Sequence, residues 1–151
     1  MTTPASVNAP ATARPPAAIR FCLCAWIVIS GLTLRRYGFA LGLPSAIVKY
    51  GGSILWGAMV FFLVAIVAPR LSRRNIVLIS TVIAVCVELF RLVHAPWLDE
   101  FRLTLVGTLL LGRIFSLWDI LAYGGGIALA LGLDHLAGRV FTGPPVPHCA
   151  S

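Results

Sequence analysis

The chain has 151 residues, of which 59% are hydrophobic and only 11% charged, whereas soluble domains carry about a quarter of their residues as charges. Lipid is therefore the solvent for much of it, and at roughly 20 residues per span the length is used up by four or five membrane-entering segments, which excludes a large separate catalytic domain. The net charge of +7, eleven arginines and one lysine against five acids, would suggest nucleic acid in a soluble chain. In a membrane chain it reflects the basic bias of cytoplasmic loops and contact with anionic lipid heads. No basic tract with interleaved aromatics accompanies it, so nucleic acid is not an expected partner.

Residues 1–16 are rich in Pro, Ala and Thr and carry one charge, Arg14; they cannot build a core and read as a disordered N-terminal arm. The small residues precede the first apolar run, whereas a signal peptidase site follows one, so that run is expected to be retained. The first span reads from Ala17 to Leu34, with Arg20 near its start and Arg35 and Arg36 stopping it. The stretch Arg35 to Lys49, RRYGFALGLPSAIVK, is too polar for a span and too apolar for a water-exposed loop, and is expected to form a short surface helix or a segment tucked at the interface. The second span, Gly51 to Ala68, is closed by Pro69 and followed by the basic loop RLSRR at 70–74.

The third span, Asn75 to Val93, contains Glu88 and Arg91 and leads into HAPWLDEFR, where Trp97 supplies an interfacial aromatic. The last apolar region, Phe101 to Leu133, would reach about 50 Å as one helix, against a hydrocarbon core of about 30 Å. It must break or lie partly along the surface. GRIFSLWD, residues 112–119, supplies the corner, which leaves 101–115 as an interfacial or re-entrant arm and a final span from Ser116 to Leu133. Asp134, His135 and Arg139 mark its exit, and residues 140–151 form a flexible tail.

The predicted fold is all-α: a polytopic membrane helical bundle over 17–139, with four spans plus one or two short interfacial or re-entrant helices. An even number of spans puts both termini on one side. That side carries Arg14, Arg20, the 70–74 loop and Arg139, and the positive-inside rule makes it cytoplasmic. The expected location is the cell inner membrane, multi-pass.

Ionisable groups at hydrocarbon depth are the informative ones, because an unpaired charge there is costly. Glu88 and Arg91 are three apart on one helix, so they share a face, and His94 extends the stripe. They can form a polar site, or a pair near the span end in which Arg91 snorkels and Glu88 is satisfied internally. Asp119 follows the corner and precedes Tyr123 and the triplet Gly124, Gly125 and Gly126. It can line a cavity beside a helix break, or simply start the last span as an N-cap. Lys49 and Tyr50 open the second span, where a lysine is commonly a snorkelling anchor. Under the proposed topology Lys49, Tyr50, Glu88, Arg91, His94, Asp119 and Tyr123 gather toward the non-cytoplasmic face as a polar pocket. Cys22, Cys24, Cys86 and Cys149 lack metal-site spacing and read as free thiols. No catalytic signature is present, and no metal, cofactor or catalytic residue is assigned.

The stretches GLPSAIVKYGGSILWG (42–57) and VELFRLVHAPWLDEFRLTLVGTLLLGRIFSLWDILAYGGG (87–126) resemble a family of small bacterial membrane proteins, domain of unknown function 2809. The resemblance covers roughly residues 30–135 and implies a small multi-pass helical fold without an established activity. It also implies two departures in this chain: Ser53 where the family often has an aspartate, and Arg91 where it has a glutamine. The reading favoured by these residues is a binding or accessory protein. Its expected partners are membrane lipids, a membrane protein or a second copy of the chain. A small oligomeric carrier and an enzyme acting on a lipid-linked substrate are the alternatives.

Overall fold

The computed structural model describes residues 14–90, 92, 100, 103–104 and 116–141. Among them are four helices, α1 (Ala17–Tyr37), α2 (Ser45–Val67), α3 (Arg73–Phe90) and α4 (Leu117–Phe141). Three of these, α1, α2 and α4, are long and apolar enough to cross a membrane. The fold is an all-α bundle with α2 at its centre, packed against α1, α3 and α4, and with α3 also packed on α4.

The local sequence sets the helix ends. Arg35 and Arg36 fall in the last turn of α1, where their charge complements the negative end of the helix dipole. The chain reverses through a turn in which Gly42 adopts φ +74°, a left-handed conformation that suits glycine. Pro44 directly precedes α2, where its missing N–H costs no helical bond. The segment 35–49 is therefore not a separate interfacial helix. Arg35 to Tyr37 extend α1, and α2 begins at Ser45, because only a short turn is needed and the residues on either side sustain helix. The arm 101–115 lies mostly outside the described residues.

Contacts between helix ends fix the directions. The N–H of Arg20 Nη1, early in α1, donates to Ala65 O, late in α2, at 3.2 Å. Arg73 at the start of α3 reaches Asp134 late in α4. At the other end, Glu88 of α3 meets Ser116 and Tyr123 at the start of α4. The helices thus run alternately up and down, and the start of α1 and the end of α4 lie at the same end of the bundle.

The core consists of Cys24 and Ile27 from α1, Ala58, Phe61, Phe62 and Ala65 from α2, Ile76 from α3, and Ile127 and Ala130 from α4. Phe61 and Phe62 meet edge to face, with centroids 5.5 Å apart. Buried residues on α3 recur every fourth position, Ile76, Ser80, Ala84 and Glu88, a stripe one helix face wide. Large apolar side chains instead face outward, Trp26 at 70% and Val67 at 82% exposure. In water such a surface would drive aggregation; in lipid it is the solvated face. Cys22, Cys24 and Cys86 are free thiols, as their spacing predicts.

Candidate polar site at one end of the bundle

At the end where α3 finishes and α4 begins, the buried stripe of each helix turns polar. Glu88 is fully buried. Its Oε1 accepts the Ser116 backbone N–H at 2.8 Å and its Oε2 accepts the Tyr123 hydroxyl at 3.0 Å. The first bond satisfies one of the amides that every helix leaves unpaired in its first turn, so Glu88 caps α4 from a neighbouring helix. Asp119 lies in that same first turn and is 4% exposed. It accepts the Ser53 hydroxyl of α2 at 3.3 Å, and Ser53 Oγ also lies 3.2 Å from the Lys49 carbonyl oxygen. The two carboxylates are thus joined to three helices through neutral donors.

Tyr123 is 2% exposed and links this polar layer to the wall of α2, its ring centred 4.9 Å from that of Trp56. The Trp56 indole N–H is buried and has no hydrogen-bond partner among the described residues. An unpartnered buried donor is uncommon and costs on the order of 1–3 kcal/mol.

The approach of α2 and α4 that brings these groups together depends on glycine. A Cβ at Gly57 would come within 2.5 Å of the Tyr123 carbonyl oxygen, and one at Gly126 would collide with the backbone of Ile54. Bare glycine surfaces let the two backbones touch, as in tightly packed membrane helix pairs. The glycine triplet therefore acts through Gly126 in close approach. Gly124 and Gly125 face open space, and α4 runs through all three without a break.

Of the sequence-predicted site residues, Glu88, Asp119 and Tyr123 come together. Lys49 is exposed and places its ammonium 5.3 Å from the Tyr50 ring centre, at the same end of the bundle but on its rim. Arg91 and His94 lie outside the described residues. Trp56 is the site residue whose role the sequence hides, because a tryptophan near a span end reads as an interfacial anchor.

A second polar cluster occupies the opposite end. Asp134 is fully buried and accepts from Arg20 Nε at 2.7 Å and from Arg73 Nε at 2.9 Å. The Arg20 Nη2 contributes a second bond to the same carboxylate at 3.2 Å. Sequence reasoning ends the last span at Leu133 and leaves Asp134 at the exit. Instead α4 continues to Phe141, since two guanidiniums neutralise the carboxylate inside the bundle.

The model of a family described as protein of unknown function (DUF2809) matches residues 42–127, more than half of the chain. The chain belongs to this family. DUF2809 is a family of small bacterial membrane proteins, and the helical spans of this member place it as a multi-pass protein of the inner membrane. The matched stretch contains every residue of the Glu88 cluster, Ser53, Trp56, Ser116, Asp119 and Tyr123 included. It leaves Arg20 and Asp134 outside. No solved structure matches this DUF2809 chain.

Proposed function

We propose that the protein is a binding protein of the inner membrane, with four spans, both termini in the cytoplasm and a polar site near the outer interface. Support for a fourth span comes from spacing. Arg73 and Glu88 on α3, like Asp119 and Asp134 on α4, are fifteen residues apart, about 22 Å along a helix. The two helices therefore bridge the same two polar levels, each set a few ångströms inside a hydrocarbon core of about 30 Å. The three charges of α3 all lie near its ends, so they do not forbid a span.

The observation that carries the binding reading is the Trp56 N–H, buried without a partner among the described residues, on a ring packed against Tyr123 in the layer where Ser53 of α2 and Ser116 and Tyr123 at the start of α4 donate to two carboxylates. A ligand oxygen presented to that N–H would satisfy it, and the carboxylates would accept the ligand's hydroxyl or amine protons. The supported ligand class is therefore a polar head carrying both donors and acceptors, attached to an apolar body that stays in the lipid.

Native mass spectrometry of the protein extracted in mild detergent tests this. A defined small molecule or lipid should remain bound to the wild type and be lost from the Trp56→Phe variant, which removes the N–H and keeps an aromatic ring. Wild type without a bound species, or equal retention by Trp56→Phe and Glu88→Gln, would contradict the proposal.

A further inference from the structure

At the end opposite the Glu88 site, six arginines, Arg14, Arg20, Arg70, Arg73, Arg74 and Arg139, stand with one acid, Asp134. The structure brings them together. Arg14 Nη1 donates to Pro69 O at 2.6 Å, which sets it beside Arg70. Arg73 bonds Asp134, and Arg139 follows Asp134 by little more than one turn of α4. No acidic residue occurs before Glu88 in the sequence, and Glu88 and Asp119 belong to the far end. Two guanidiniums on one carboxylate leave the inner cluster with a net positive charge, and Arg70, Arg74 and Arg139 add three exposed charges around it.

We infer that this end is a docking surface for the phosphate of an anionic phospholipid in the leaflet it faces. Charge complementarity gives the headgroup. The surroundings decide for lipid over free phosphate. Val67 at 82% and Phe141 at 60% exposure lie three and two residues along the chain from the exposed Arg70 and Arg139. An anion reaching these arginines therefore sits against apolar side chains that an acyl chain covers and water does not. Guanidiniums suit the role because their planar fork grips two phosphate oxygens at once.

This site is independent of the Glu88 site, and so is its test. Wild-type protein in neutral detergent is titrated with phosphatidylglycerol, with phosphatidylcholine, or with inorganic phosphate, and adducts are followed by native mass spectrometry. Phosphatidylglycerol should bind more tightly than phosphatidylcholine, and inorganic phosphate should not displace it. Replacing exposed arginines should weaken phosphatidylglycerol binding roughly fivefold each, on the order of a hundredfold for Arg70→Gln, Arg74→Gln and Arg139→Gln together. Since those side chains are exposed, the fold is retained, and an unchanged melting temperature of the triple variant confirms it. Equal affinity for the two lipids, undiminished phosphatidylglycerol binding by a folded triple variant, or full competition by inorganic phosphate would each overturn the inference.

Discussion

Asp134 shows how much a single residue can depend on partners far away in the chain. Its carboxylate is fully buried and held by Arg20, 114 positions earlier, and by Arg73, 61 positions earlier. Removing one side of a buried ion cluster leaves the other uncompensated, which costs about 3–5 kcal/mol. Asp134→Asn is therefore expected to lower the melting temperature in detergent far more than Arg70→Gln, whose side chain is exposed; a thermal unfolding assay compares them. At the other end, Tyr123→Phe strips one donor from buried Glu88 while keeping the ring against Trp56. The expected loss is about 1–3 kcal/mol, read in the same assay. The sequence makes Glu88 and Asp119 stand out because a carboxylate inside an apolar run is costly wherever it lies. It could not reveal the Arg20, Arg73 and Asp134 cluster. Each of those residues sits near the end of its own apolar run and reads as an interfacial charge, and only the folded bundle places them on one another.

At the scale of the helix, the closest pairing, α2 with α4, is set by two glycines. The atoms that a Cβ at Gly126 would strike belong to the backbone of Ile54 and Ala58, which cannot rotate out of the way. Gly126→Ala should force the helices apart and cost about 1–3 kcal/mol, the usual range for overpacking. Gly124→Ala meets nothing within 4 Å and should be neutral or stabilising by up to about 1 kcal/mol, because alanine favours helix. Thermal unfolding of the two variants side by side checks the contrast. Helix existence was legible for all four helices from the apolar runs. Their ends were less so: α1 runs through Arg35 and Arg36, and α4 runs past Asp134 to Phe141. A charge ends an apolar run but need not end a helix, since it can lie in a last turn that favours cations or be neutralised by a partner. Periodicity alone could not single out Gly126 from its triplet, as the neighbouring helix decides which glycine is touched.

For the whole molecule, the alternating helices make a bundle with two polar levels and an apolar middle, each level built from three or more helices. The proposed anionic-lipid surface and the proposed polar site thus lie at opposite levels of the bundle. The membrane class followed from composition, because no arrangement of so few charges can solvate the outside, and the long apolar runs made it helical. Which level faces the cytoplasm rests on the arginines, six against one acid at the end holding Arg20 and Arg73.

The most direct measurement is thiol accessibility in intact cells. Cys22, Cys24, Cys86 and Cys149 are replaced by alanine, and single cysteines are introduced as Ser53→Cys beside Asp119 and Arg70→Cys in the basic loop. A membrane-impermeant maleimide applied from outside should label Ser53→Cys and reach Arg70→Cys only after the inner membrane is permeabilised. Labelling of Arg70→Cys from outside, with Ser53→Cys protected until permeabilisation, would contradict a polar site near the outer interface.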